Sequence, residues 1–217
     1  MNTTNGSIKP AHMPAALAGF EDINRYWDTK HGYFSAKILP GQYYVSKNDE
    51  LIATVLGSCI SVCVTDKVAG IGGMNHFMLP LYTENHADSW GSTVISAETR
   101  YGNFAMEHMI NDIIKYGGVK SRLELKVIGG GRVMDKMTDV GLRNISFVYD
   151  YIANERLHLV KEDVGDRYPR KVIFHVKSGK VKVRKLKKVN NTTLVQRDTE
   201  YLNKLKTETI GGSVDLF

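Results

Sequence analysis

Residues 54–63 read TVLGSCISVC, and residues 72–80 read GGMNHFMLP. The first stretch passes from apolar and β-branched residues through a Gly57-Ser58 step into Cys59, then alternates Ile, Ser, Val and Cys. Short runs of this kind, bounded by glycine, read as strands. The second has the same character and carries His76. One turn between two such strands brings His76 back beside Cys59. Both cysteines of the chain lie in the first stretch. On a strand, Cys59 and Cys63 stand about 13 Å apart, too far for a disulfide, so both are expected as free thiols in a reducing compartment.

Working outward, strand signals dominate from Ala36: AKILPGQYYVS, ELIATVL, CISVCVTD and GIGGMNHFML. TENHADSWGS reads as a polar loop. Ser96 then looks like the cap of a helix over 97–118. Its core face is Ala105, Met106, Met109, Ile110, Ile113 and Ile114, and Gly117 marks the stop. LELKVIGGG is a strand ending in glycines. The next stretch, VGLRNISFVYDYIAN, is a second helix with Ile145, Val148, Tyr149 and Ile152 on its core stripe. The strand LHLVKED and a basic hairpin complete the core. Strands in a block, then helix, strand, helix and more strands, lack the regular alternation of a doubly wound sheet. An α+β fold with much antiparallel pairing is expected.

Three regions are expected: an N-terminal extension (1–37), a core domain (38–188) and a C-terminal tail (189–217). FEDINRYWD, in the extension, has the Phe20, Ile23, Tyr26, Trp27 spacing of a short docking helix. The tail ends in SVDLF behind Gly211 and Gly212, as an exposed docking peptide would.

The composition, 42% hydrophobic and 24% charged over 217 residues, is that of a globular protein with a real core. No apolar run reaches the roughly 18 residues that cross a bilayer, and the first twenty residues do not resemble a signal peptide. A cytoplasmic protein without direct membrane insertion is expected. The net charge is +6, and ten Lys or Arg without any Asp or Glu lie between Arg167 and Lys188. Lysines alternating with apolar residues around Ser178-Gly179 describe a hairpin with one solvated face, protected against edge-to-edge pairing. The same lysines could meet nucleic acid, but the aromatic stacking residues of a single-strand platform are missing, so no nucleic-acid partner is expected.

Two readings of Cys59 and His76 stand side by side. Buried cysteine and histidine on apolar strands are ordinary packing residues. A thiol after a glycine turn, with an imidazole on the neighbouring strand, is also the arrangement of a nucleophile and its base. Such a pair needs a third polar group, and Thr54, Ser58 and Asn75 are the candidates. Backbone N–H groups at the turn would supply an oxyanion hole. Cys63 reads as packing. IGGGR (128–132) completes no phosphate-loop motif and reads as a tight turn. His76, His86 and Asp88 lack structural zinc spacing, and no metal site is expected.

Taken together, TVLGSCISVCVTD, GIGGMNHFMLP, RYGNFAMEHMINDIIKYGG, KVIGGGRVM, GLRNISFV and EDVGDRYPRKVIFHVKSGKVKV resemble the chemoreceptor glutamine deamidase CheD family, over roughly Ile38 to Leu186. The resemblance implies a three-layer α/β/β fold with mixed, mainly antiparallel sheets and two main helices on one side. It implies a cytoplasmic hydrolase of signal transduction, associated with receptor arrays. Its substrates are methyl-accepting chemotaxis proteins, whose selected glutamines it converts to glutamate without a cofactor. By position, Cys59 is the nucleophile, His76 the base and Thr54 the third catalytic residue, with Ser58 and Asn75 as candidates for oxyanion or substrate positioning. A CheC-type phosphatase is a candidate partner. Asp166-Arg167-Tyr168-Pro169 departs from the glycine-rich stretch usual after EDVG. Rival readings are a cysteine amidase or protease with another substrate, and a signalling protein that binds receptors without turnover.

Overall fold

A computed structural model of the chain describes residues 11–79, 97–133, 138–187 and 192–207. The elements come in the order β1 (Asn24–Asp28), β2 (Tyr33–Lys37), β3 (Tyr43–Ser46), β4 (Leu51–Leu56), β5 (Ile60–Asp66) and β6 (Ile71–Asn75). Helix α1 (Ala97–Lys115), β7 (Glu124–Gly129), helix α2 (Thr138–Asn154) and β8 (His158–Val164) follow. The chain then forms β9 (Arg170–His175), β10 (Val181–Lys185) and helix α3 (Thr192–Thr207).

The strands make two five-stranded sheets, ordered β1-β2-β4-β9-β10 and β3-β6-β5-β7-β8. Only β2 with β4 and β7 with β8 pair in parallel; the remaining neighbours are antiparallel. The fold is α+β, as expected. AKILPGQYYVS is not one strand. The chain leaves the first sheet after Lys37 and enters the second at Tyr43, turning through Pro40 and Gly41.

β6 shows why the layers stack as they do. Successive strand residues face opposite sides, and here two of them are glycine. A Cβ on Gly72 would lie 3.1 Å from the Phe174 ring of the first sheet, and one on Gly73 would lie 3.2 Å from Met109 of α1. This strand, second in its sheet, is therefore thinned on both faces, letting the other sheet close on one side and α1 on the other. Met106, Met109, Ile110 and Ile113 of α1 are buried, whereas Ile114 at the end of the expected stripe is 40% exposed. On α2 the buried stripe is Val140, Asn144, Val148, Tyr151 and Ile152, with Ile145 and Tyr149 only half-buried. The stripe is turned by about one residue from the expected one, and it contains an asparagine.

The expected docking helix within Phe20–Asp28 does not form: Asn24–Asp28 is strand β1, and Phe20–Ile23 lead into it as a turn. Tyr26 and Trp27 are strand formers, β1 pairs with β2, and Trp27 meets Phe34 edge-on at 5.1 Å. Arg25 reaches the wholly buried Glu50 at 2.8 Å, and Glu50 also accepts hydrogen bonds from Tyr44 and Ser46. The basic hairpin forms as expected, with β9 alternating buried and half-buried residues. No described helix is long and apolar enough to cross a membrane. Ser96, the TENHADSWGS loop with His86 and Asp88, and the terminal SVDLF lie outside the described residues.

Candidate active site

Cys59 immediately precedes β5. The β5–β6 register continues through a bridge between Ile60 and Phe77, closed by reciprocal backbone bonds of 2.9 and 3.0 Å. That register sets His76 opposite Ser61 and puts Cys59 and His76 on one face as diagonal neighbours, a separation long side chains can span. Phe77 points the other way, edge-on to Phe147 of α2.

The face carrying His76 looks toward the first sheet, where the inward stripe of β4 is Ile52, Thr54 and Leu56. Thr54 interrupts that apolar stripe, and its hydroxyl lies 2.8 Å from His76 Nδ1 and 2.9 Å from the Ile38 carbonyl oxygen. A carbonyl can only accept, so the single threonine proton goes to Ile38 and the hydroxyl accepts from Nδ1–H. This fixes the tautomer: Nε2 carries the lone pair. Nε2 is buried and makes no hydrogen bond among the described residues. The His76 backbone is held as well, its N–H donating to Gln42 O and its carbonyl accepting from Gly41 N–H.

The loop before Cys59 is built by three neighbouring segments. Gly130 N–H donates to the Cys59 carbonyl at 2.8 Å and Gly131 N–H to the Gly57 carbonyl at 3.1 Å. Gly129 and Gly130 have φ of 119° and 63°, and a Cβ on Gly129 would lie 2.4 Å from Cys59 O. The glycine run of IGGGR thus lets the end of β7 press against the loop. Asn144 of α2 donates to the Ser58 carbonyl at 3.0 Å and accepts from Leu79 N–H at 2.8 Å, tying the two motifs together. Behind the glycines, Gly165 N–H donates to Gly129 O and Arg132 N–H to Asp166 O. The Asp166–Pro169 stretch therefore stands one layer behind the loop. Gly57 itself is not among the residues of positive φ; it provides space, not a special backbone conformation.

Helix α3 covers the site. Asp198, wholly buried, accepts from Ser58 N–H at 2.9 Å and Ser58 Oγ at 3.0 Å, and its other oxygen lies 4.0 Å from Cys59 Sγ. Arg197 donates to the Val55 carbonyl at 2.7 Å and lies 3.6 Å from Asp198. Cys59 and His76 have no solvent exposure. Burial raises the Cys59 thiol well above its ordinary value, Asp198 adds to the rise, and Arg197 opposes it. Burial also brings the His76 imidazole down to about 3, with Arg197 contributing. At neutral pH the covered pair is thiol and neutral imidazole. A cavity of about 500 Å³ lies on the His76 side, between residues 39–43, α1 and α3.

Of the residues singled out from sequence, Cys59, His76, Thr54 and Ser58 come together. Asn75 does not face them: its side chain accepts from Val62 N–H and donates to the Ala105 carbonyl of α1. Cys63 is buried farther along β5, and burial raises its thiol too. Asn144 and Asp198 were not singled out. Their common signal is a short polar side chain on the apolar stripe of a helix.

A thiol and an imidazole on one sheet face, the imidazole oriented by a hydroxyl from a second sheet, have the arrangement that a nucleophile and its base require, here in an α/β/β protein. A family model described as CheD chemotactic sensory transduction matches residues 78–185. The chain is 48% identical over 207 residues to a probable chemoreceptor glutamine deamidase CheD of Halorhodospira halophila, covering 94% of each chain. It is 46% identical to proteins of the same description from Saccharophagus degradans, with 95% of each chain covered, and Hahella chejuensis, with 96% of this chain and 97% of the relative. The chain belongs to the CheD family.

Proposed function

We propose that this protein hydrolyses selected glutamine side chains of methyl-accepting chemotaxis proteins to glutamate, with Cys59 as nucleophile and His76 as base. The observation that carries the reading is the Thr54–His76 hydrogen bond, which leaves an Nε2 lone pair, without a partner among the described residues, on the face that bears Cys59. The relatives' description as chemoreceptor glutamine deamidases supports the substrate.

Nε2 takes the thiol proton and Sγ attacks the glutamine Cδ, whose carbonyl electrons move onto oxygen. Ser58 N–H donates to that oxyanion. When the intermediate collapses, imidazolium gives its proton to the amide nitrogen and ammonia leaves, with a thioester remaining on Cys59. A water then gives a proton to Nε2 and attacks the thioester, releasing glutamate and the free thiol. Thr54 holds the imidazole tautomer throughout and touches no substrate. Each turnover replaces a neutral amide by a carboxylate, so the product receptor differs in charge, and charge is what adaptation tunes in this reading. The protein acts in the cytoplasm at the receptor arrays, with a CheC-type phosphatase as a candidate partner.

A chemoreceptor cytoplasmic fragment incubated with the protein gains about one mass unit per modified glutamine, because NH2 becomes OH. Cys59→Ala gives no gain. A fragment left unchanged by the wild-type protein under all conditions, including after release of α3, overturns the proposal.

A further inference from the structure

Helix α3 presents Asp198, Tyr201, Leu202 and Leu205 on one stripe, spaced as a helix needs to lay one face on a surface. Among its described side chains only Asp198 and Leu202 are buried. A carboxyl group on the apolar stripe is costly to bury unless it is hydrogen-bonded. Its hydrogen-bond donors are the N–H and hydroxyl of Ser58, on the loop that presents Cys59. Room for it exists because residue 57 is glycine; a Cβ there would fall 2.3 Å from Asp198 Oδ2. Tyr201 hydrogen-bonds Tyr101 of α1 and packs over Gly41, completing the cover on the His76 side.

We infer that α3 is an internal occupant of the substrate site, with Asp198 standing where the side-chain amide of a substrate glutamine must sit, and that α3 leaves before turnover. A carboxyl group matches a carboxamide in shape and is the very group that amide hydrolysis produces. It carries no amine to expel, so it can fill the position next to Cys59 indefinitely. While it does, Ser58 N–H is taken and no other molecule reaches the thiol or the imidazole. The neutral state that burial gives both groups belongs to this covered form. Among the described side chains of α3 two are buried, and a helix with so little described burial belongs with the low-energy local openings of the fold. The inference rests on Cys59 being the nucleophile and adds regulation to that reading.

The test is alkylation of the native full-length protein by iodoacetamide, followed residue by residue by peptide mass spectrometry, with Cys63 as internal reference. Wild type is compared with Asp198→Ala, which removes the bonds to Ser58, and Leu202→Lys, which puts a charge where α3 docks. The expected result is roughly a tenfold or greater rise in the Cys59 labelling rate in both variants, with Cys63 unchanged. Equal Cys59 labelling in the three proteins, or Cys63 rising in step, overturns the inference. The same proteins are then incubated with a chemoreceptor fragment. Faster deamidation by the variants supports occupancy and function together. Faster Cys59 labelling with no deamidation by any of the three overturns the receptor substrate and leaves the occupancy standing. Wild-type deamidation as fast as the variants' overturns the occupancy.

Discussion

Thr54 decides the chemistry of the imidazole through one proton. The Ile38 carbonyl can only accept, so the hydroxyl must accept from Nδ1, and Nε2 is left free to act as a base. In the proposed reaction Thr54→Val keeps the volume and removes this control, so deamidation falls roughly 10–100-fold, while Thr54→Ser retains most of it. Initial rates on a receptor fragment check this, and an undiminished valine variant would show that Thr54 does not orient His76. Asn144 works on the backbone instead. Asn144→Ala leaves the Ser58 carbonyl and the Leu79 N–H without their partner in a buried place, a loss of about 2–4 kcal/mol. Urea unfolding reads that value directly. A loss well under 1 kcal/mol would mean that water replaces the amide at both ends.

At the scale of elements, the glycines at the end of β7 explain how three segments stack behind one cysteine. Gly129 sits at φ 119°, a conformation side chains disfavour, and its α-carbon faces the Cys59 carbonyl. Gly129→Ala has to strain the backbone and push away main-chain atoms at once, at a cost of roughly 2–4 kcal/mol. It also shifts the Cys59 loop. Thermal unfolding should fall by several degrees and deamidation should drop with it; a variant of wild-type stability would show that the β7 end has room to give. β6 carries a related device, with Gly72 and Gly73 opening opposite faces to Phe174 and Met109. In both places space is the requirement, and at Gly129 conformation is a second one.

For the molecule as a whole, Asp66 ties the end of β5 to the turn that leads into β7. Burial works to raise its pKa. Hydrogen bonds from Arg122 and from the backbone of Ala69 and Val119 outweigh this and bring it down to about 2. The unfolded carboxyl titrates near 4. A lowered folded-state value means the contribution is fully present above about pH 4 and is lost as pH falls from there toward 2. Asp66→Asn should cost on the order of 1–2 kcal/mol at neutral pH and flatten the acid limb of the stability curve. Parallel acid limbs in wild type and variant would remove Asp66 from the account of acid stability.

The sequence alone determined most of the strands, α1 and its stop at Gly117, the free thiols and the placing of Cys59 and His76 on neighbouring strands. These rest on short-range physics: side-chain period, glycine breaks and the return of a chain through one turn. Family resemblance singled out Thr54 from the candidates Thr54, Ser58 and Asn75; it lies on β4 of the other sheet and has no sequence signal beyond a polar residue in an apolar run. What only the tertiary structure decided is which long-range partners each polar residue finds. Asn75 turned to α1, Asn144 clamped the Cys59 loop, and the tail folded back so that Asp198 met Ser58, 140 residues away. Asn24–Asp28 became a strand because β2 offered it an edge. Local pattern sets what a segment can be; the distant groups that it buries against set what it is.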